Sequence, residues 1–345
     1  MNREDKRSPI PTIYDVAHEA GVSYSTVSRT LTGFEFVKPS TREKVLRAAE
    51  KLGYVPNQQA RSLAGGRSNL IGVLVPGLGN SYIGEILRGV DEALAESDYN
   101  LILYTTHRHN SKESHYAATI MNSGVDGLLL VVPLISTSYL DTLHDQNFPY
   151  VVIDQLDKSP KGSFVSATNW QGAYELTQYL LELGHQRIGF ISGLAGLNST
   201  GERLAGFAAA LSDHNLPLQE EIILDGSFSE QGGYVATQKM LALADPPTAI
   251  FAANDLSAFG AIEAIREHGL RVPEDISLVG FDDIPQASLI YPKLTTVRQP
   301  LDQMGREAVN ILLQQIAHPE RAKREVTLAT EVIIRDSCCP PRSSK

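Results

Sequence analysis

The 345 residues contain only two cysteines, Cys338 and Cys339, and these are adjacent. Neighbouring cysteines seldom bridge each other without strain, and two of them make no disulfide framework. The thiols therefore read as incidental, and the chain as one made for a reducing compartment. Long apolar runs are also missing. Gly127 to Val132 is among the longest, a strand's length, so no membrane span is expected. The opening MNREDKRSPIP is charged and has no apolar signal core, which argues against secretion and for the cytoplasm. The 9 histidines do not cluster with metal-ligand spacing, so no metal is expected. There is no Walker A loop and no G-x-S-x-G nucleophile elbow, and His18-Glu19 leads to no second histidine. Gly77-Leu78-Gly79 is followed by Gly84 at the wrong spacing, so the dinucleotide fingerprint fails. With no cofactor loop and no catalytic constellation, the chain reads as a non-enzyme that needs no cofactor.

What is present is uneven. The net charge of −10 divides into a balance of +4 over residues 1–67, with 11 Lys/Arg against 7 Asp/Glu, and −14 over the remainder. A small basic head on a large acidic body fits a nucleic-acid reader joined to a separate sensing body. The length leaves room for two or three domains with buried cores.

Residues 12 to 53 show no strand-like alternation. Thr12 with Asp15 forms a capping box that opens a predicted helix over Ile13 to Ala20. Gly21-Val22-Ser23 is a three-residue turn, and Ser23 caps a second helix, Tyr24 to Leu31. Ser40 with Glu43 is a second capping box, predicting a third helix over Thr41 to Leu52, closed by Gly53. Val16, Ala17, Ala20, Val22, Val27, Leu31, Val45, Ala48 and Leu52 would share a small core. A helix, a glycine turn and a second helix make a helix-turn-helix pattern. At about 100° per residue, Val27 and Leu31 face one side of the second helix while Ser25 and Arg29 face nearly the other. Tyr24 stands at its start. Arginine matches guanine bidentately, and the hydroxyls suit bases or phosphates. A generic three-helix bundle with a solvated arginine fits the same pattern.

PNQQARSLAGGRS, residues 56 to 68, looks like a linker, yet Asn57 to Ala64 is helix-compatible and carries one leucine, Leu63. Eight residues are too few for a stable helix in water. The stretch is either a plain tether or a segment that folds only against something.

From residue 70 the pattern becomes strand-helix alternation, which means parallel sheets flanked by helices. Predicted strands include Leu70 to Val75, Asn100 to Tyr104, Gly127 to Val132, Tyr150 to Ile153, Arg187 to Ser192, Thr248 to Ala252, Ile276 to Phe281 and a last one over Val326 to Ile334. These are too many for one small sheet, and they suit two similar lobes. Ligands bind beyond the C-terminal strand ends of such sheets. Those ends are Pro76 to Asn80, Asp154-Gln155, Gly193 to Ser199, Asn254-Asp255 and Phe281 to Asp283, all polar or glycine-rich.

TIYDVAHEAGVSYSTVSRTLTG, TREKVLRAAEKLGYVPN and ARSLAGGRSNLIGVLVP resemble the lac repressor/galactose repressor family of bacterial transcription regulators. The resemblance continues through GVDGLLLV, LLELGHQRIGFISG, ERLAGF, TAIFAANDLSAFGAI, VPEDISLVGFDDI and PKLTTVRQP, so it covers nearly the whole chain in order. It implies a small all-α helix-turn-helix head and an α/β core of two doubly wound parallel-sheet lobes, like periplasmic sugar-binding proteins. The expected boundaries are 1–55 for the head, 56–68 for a hinge helix, 69–337 for the core and 338–345 for a tail. The chain is expected to cross between lobes near 165 and 295.

The same resemblance implies that Tyr24, Ser25 and Arg29 touch bases, and that Thr12, Tyr14, Ser23 and Ser28 lie near phosphates. Asn57, Ala60 and Leu63 would form a hinge helix in the minor groove, ordered only when two copies pair over DNA. Arg203 and Asp282 would hold the hydroxyls of a small effector, a sugar, with Tyr82, Asp154, Phe228 and Asn254 around it. Trp170 is open between stacking on that sugar and packing in the core. Two positions depart from the family pattern: Thr168-Asn169 stands where Asp-Asn is frequent, and position 197 is leucine. The implied partners are a pseudo-palindromic double-stranded DNA operator and a second copy of the chain. With no leucine heptad at the end, a homodimer is expected. The alternative is a sugar-binding sensor or transport-type protein with no specific DNA function.

Overall fold

Thr12 opens the first element of a computed structural model that describes residues 11–31, 34, 36–54, 67–107, 110–134, 137–156 and 162–342. The chain divides into two units at Ser68 and Asn69. Asn57, Ala60 and Leu63 lie outside the described residues.

The first unit is three helices, α1 (Ile13–Ala20), α2 (Tyr24–Leu31) and α3 (Pro39–Leu52). The Asp15 carboxylate accepts from both the amide and the hydroxyl of Thr12, each at 2.7 Å, closing the cap of α1. Gly21 takes a left-handed conformation, φ 65°, where a side chain is disfavoured. The Ser23 hydroxyl accepts from Thr26 N at 3.2 Å and caps α2. The start of α3 differs from expectation: it begins at Pro39, and Ser40 lies inside the helix. Proline suits a first helical position because its missing N–H would have no partner there. Val16, Val27 and Val45 are fully buried, with Ala17, Ala48 and Ala49, and the remaining expected core residues pack around them. Lys51 ties α3 to α1 through Glu19 at 2.7 Å.

The second unit begins with β1 (Leu70–Val75), α4 (Ser81–Ala95), β2 (Asn100–Thr105), α5 (Asn110–Asn122), β3 (Gly127–Val131), α6 (Thr137–Asp145), β4 (Tyr150–Ile153) and β5 (Ser163–Ala167). A second lobe follows: α7 (Asn169–Glu182), β6 (Ile188–Ser192), α8 (Asn198–Asp213), β7 (Ile223–Asp225), α9 (Glu230–Leu241), β8 (Ala249–Ala252), α10 (Asp255–Glu267), β9 (Ser277–Asp282) and β10 (Thr295–Arg298). The chain then returns with α11 (Leu301–Ala317) and β11 (Glu325–Leu328) and ends on β12 (Glu331–Ile333). The sheets run β11-β5-β4-β3-β1-β2 and β12-β10-β9-β8-β6-β7.

Every pairing in the first sheet is parallel. The second sheet departs from the expected all-parallel form, because β12 runs antiparallel to β10. The run expected as one strand, Val326 to Ile334, is two strands in different sheets. Its break is set by a residue far away in the chain. The Thr168 hydroxyl accepts from Thr330 N at 2.9 Å and meets Thr330 Oγ1 at 2.9 Å, so Thr330 is withdrawn from any ladder. The lobes are thus joined at three places, Thr168, Gln299-Pro300 and Ala329-Thr330, one more than expected.

Strands covered on both faces explain the near-continuous apolar text of β3 and β8. Ile71, Val73, Leu129, Val151 and Val165 are fully buried in the first lobe. In the second, Phe190 lies 4.9 Å from Phe207 and 5.3 Å from Phe251 between ring centroids. Helices α4 and α11 touch backbone to backbone: a Cβ on Gly89 would meet Asp302 O at 1.9 Å, and one on Gly305 would meet Ile86 O at 2.2 Å. No helix among the described residues is long and apolar enough to cross a membrane.

Through Arg342 the terminal segment is packed on the second lobe. The Ser337 hydroxyl donates to Leu278 O at 2.6 Å and accepts from Thr295 N at 2.8 Å. Desolvation pushes the Cys338 thiol up to about 12, which keeps it protonated and inert. His185, 1% exposed, reaches Thr248 Oγ1 at 2.9 Å, Ser277 Oγ at 3.0 Å and Cys339 O at 3.0 Å. Burial lowers its pKa below the ordinary 6.5. Stability from a neutral buried histidine is present above the unfolded pKa and is lost as pH falls through the folded one. The second unit is expected to lose resistance to urea below about pH 6.5, and His185→Gln is expected to flatten that acid-side fall. Urea midpoints of the two chains from pH 7 to 5 check this.

Candidate functional site

On the first unit, Tyr24, Ser25 and Arg29 are exposed, as are Thr12, Tyr14 and Ser23, while Ser28 is half-buried. Tyr14 stacks on Tyr24 with centroids 5.6 Å apart, so two expected contact residues from α1 and α2 form one aromatic platform. Ser23 Oγ lies 2.8 Å from Ser25 Oγ and 2.9 Å from Thr26 Oγ1, a cluster of hydroxyls at the helix start. The Arg29 guanidinium sits 5.4 Å from the centre of the Phe34 ring. Phe34 and Phe36, 46% and 85% exposed, do not appear among the expected residues. Nothing in their spacing distinguishes them from loop residues. Cation–π contact with the Phe34 ring pre-orients the guanidinium.

In the second unit the strand order reverses between β1 and β3 in one sheet and between β6 and β8 in the other. A crevice forms at such a switch point, beyond the carboxyl ends of the strands. The two crevices face each other across one cleft, lined by all six residues expected to meet the effector: Tyr82, Asp154, Arg203, Phe228, Asn254 and Asp282. Asn80, Leu197 and Ser199 also line the wall, with apolar Pro76, Ile83, Val132 and Leu256. Asn80 and Asn254 each cap a helix, accepting from Ile83 N and Ser257 N at 3.0 Å. Leu197, the residue before α8, packs with the core of the opposite lobe, so its apolar side chain serves lobe contact. Trp170 lies outside the cleft and outside the core: it is 41% exposed and stacked on Tyr174 at 5.1 Å. Thr168 also lies off the cleft wall, spent on the lobe crossing.

Arg203, 2% exposed, organises the floor. Its Nε donates to Asn169 Oδ1 at 2.9 Å, and its Nη1 donates to Ala253 O at 2.6 Å and Asp282 Oδ1 at 3.3 Å. Its flat face lies 3.8 Å from the centre of Phe281 and 5.5 Å from that of Phe228. Gln299 Nε2 donates to the same Asp282 oxygen at 2.8 Å. On the other lobe, Tyr82 Oη donates to Asp154 Oδ2 at 2.5 Å. Asp255, fully buried behind the wall, accepts from Thr296 Oγ1 at 2.6 Å and Ile284 N at 2.9 Å.

Burial pushes the Asp282 carboxyl up to about 7 although Arg203 pulls it down. Burial likewise raises Asp154, with Arg203 opposing. Asp255 is raised well above the ordinary value, first by burial and then by the Asp282 charge. Asn169 and Gln299, both near lobe crossings, escaped the strand-end argument because they act by holding Arg203 and Asp282. Only their position near the crossings in the chain hinted at them. A planar cation, carboxylates from both lobes and the Tyr82 and Phe228 rings line a cleft able to hold an oriented polar molecule.

A helix-turn-helix head joined to a two-lobed body with a polar cleft defines a DNA-reading regulator with a ligand-sensing core. Residues 12–57 match the bacterial regulatory proteins, lacI family, and residues 177–338 match a periplasmic binding protein-like domain. The chain is 35% identical over 331 residues to the probable HTH-type transcriptional repressor ExuR of Bacillus subtilis, covering 94% of this chain and 98% of that one. Among solved structures, the lac repressor dimer bound to operator and the anti-inducer ONPF is similar with a TM-score of 0.85 and 31% identity, covering 95% of this chain and 99% of that one. The transcriptional regulator CelR–cellobiose complex gives 0.74 and 32%, with the same coverage. The chain belongs to the lacI family of bacterial regulatory proteins. It is a DNA-binding transcriptional repressor and not an enzyme.

Proposed function

We propose that the protein acts in the cytoplasm as a homodimeric repressor on a pseudo-palindromic operator, and that a small sugar in the cleft sets its affinity for that operator. The observation that carries this reading is the Arg203–Asp282 pair beside Phe228 in the cleft wall, a planar donor next to an acceptor and an apolar ring, with Phe281 fully buried against the guanidinium. Vicinal hydroxyls match such a pair, and the carbon face of a sugar ring matches the aromatic one. Tyr24, Ser25 and Arg29 read bases, while Thr12, Tyr14, Ser23 and Ser28 position the head on phosphates. Asn57, Ala60 and Leu63 belong to the hinge, which passes lobe movement to the two heads by linkage.

A mobility-shift assay on a palindromic operator, with and without a panel of sugars, tests the whole reading. Specific binding at moderate salt, altered by a sugar, supports it; absence of specific binding at any sugar concentration ends it. Leu63→Ala is expected to weaken operator binding by tenfold or more while leaving sugar-induced thermal stabilisation intact, since unstacking a base step costs about a few kcal/mol and the wedge is what holds the step open. Unchanged operator affinity would reduce the stretch to a tether.

A further inference from the structure

We infer that the cleft admits only effectors that carry no anionic group, and that Asp154, aimed by Tyr82, is the residue that enforces this. The inference rests on the reading of the cleft as the effector site. Arg203 is the only lysine or arginine among the described residues that line it. That one cation is already committed, through Nε to Asn169 and through Nη1 to Ala253 O and Asp282. Two carboxylates, Asp154 and Asp282, line the cleft from opposite lobes, and Asp255 stands directly behind. Glu202, whose pKa is also raised by burial, interacts with Asn169.

An incoming carboxylate or phosphate would have to share Arg203 with Asp282 and then face two acids at short range. Like charges brought together in a desolvated site weaken affinity by roughly tenfold to a hundredfold or more. Asp154 shows what is wanted instead. Its Oδ2 is occupied by the Tyr82 hydroxyl, and its Oδ1 is buried with no hydrogen-bond partner among the described residues. Its backbone is held at φ 56°, a left-handed conformation that a non-glycine residue seldom adopts without a local reason. A buried acceptor without a donor is costly, and a ligand hydroxyl or ammonium satisfies it. A neutral or aminated polyol, donating to Asp154 on one lobe and Asp282 on the other, bridges the cleft; a sugar acid does not.

The test uses matched pairs on the full-length chain at pH 8: galactose with galacturonate, glucose with glucuronate, and galactosamine with galactose. Binding is read from the thermal midpoint and from the shift of operator DNA. At least one neutral or aminated sugar is expected to raise the midpoint and alter the operator shift, with its uronate at least about tenfold weaker. Asp154→Asn is expected to narrow that gap, and Tyr82→Phe to keep it while weakening the neutral sugar. A uronate that binds as tightly as its neutral partner overturns the inference and leaves the effector site standing. If no sugar in the panel binds, the reading of the cleft falls, and the inference with it. A gap unchanged in Asp154→Asn, with the neutral sugar still bound, removes Asp154 from the role.

Discussion

Arg203→Ala is expected to lower the stability of the second unit by about 3–5 kcal/mol at pH 8, the range for removing one partner of a buried ion pair. At pH 5 the loss is expected to be smaller. The reason is the protonation of Asp282, which sits near 7 in the folded chain against an ordinary 3.8. A carboxyl raised on folding contributes stability that is present below its unfolded pKa and is lost as pH rises through the folded one. For Asp282 that window runs from about 4 to about 7. Without the guanidinium the carboxyl rises further, so ionising it costs more and the gap between variant and parent widens with pH. Urea midpoints of both chains at pH 5 and 8 measure this. An equal gap at the two pH values would mean that Arg203 stabilises through its packing on Phe281 and its bonds to Asn169 and Ala253 O, and not through Asp282. The variant is also expected to lose stabilisation by sugars at both pH values. Arg203→Lys retains a charge but not the planar fork, so it is expected to recover stability without recovering the sugar response.

Arg29→Ala is expected to weaken operator binding roughly 5- to 150-fold, corresponding to about 1–3 kcal/mol for a bidentate base contact. The head should remain folded, because Arg29 is exposed and Val27, on the opposite face of α2, holds the core. Substituting the operator base pairs one at a time separates a base contact from a phosphate contact. A base-reading arginine makes the parent sensitive to one pair and the variant indifferent to it. A phosphate contact weakens all sequences equally and reduces the salt slope by about one. Uniform weakening of that kind would move Arg29 out of base readout.

Much of this arrangement is legible in the chain because the local signals agree. The limits of α1 and α2 follow from a capping box, a left-handed glycine and a serine cap, each acting over a few residues. The cleft residues are legible because they sit at strand ends, where apolar text stops and polar text begins. The misses have physical causes too. The short strands β5, β7 and β10 have no periodicity of their own and exist because neighbours pair with them. The division between β11 and β12 is decided by Thr168, 162 residues away from Thr330, and no local window contains that information. Pro39 displaced the Ser40 capping box because two good start signals were adjacent. Trp170 takes neither the cleft nor the core, because Tyr174 one turn along α7 provides a third surface.

The three passages of chain between the lobes, with Thr168 tied to Thr330, have a mechanical consequence. A body hung on one strap swings in any direction, but one hung on three cannot slide or pull away without stretching covalent backbone. What is left is the motion that bending of these three short passages allows, a narrower set than one strap would permit. A molecule of a few atoms held between Asp154 and Asp282 would therefore act on few coordinates, with its binding energy scattered over few.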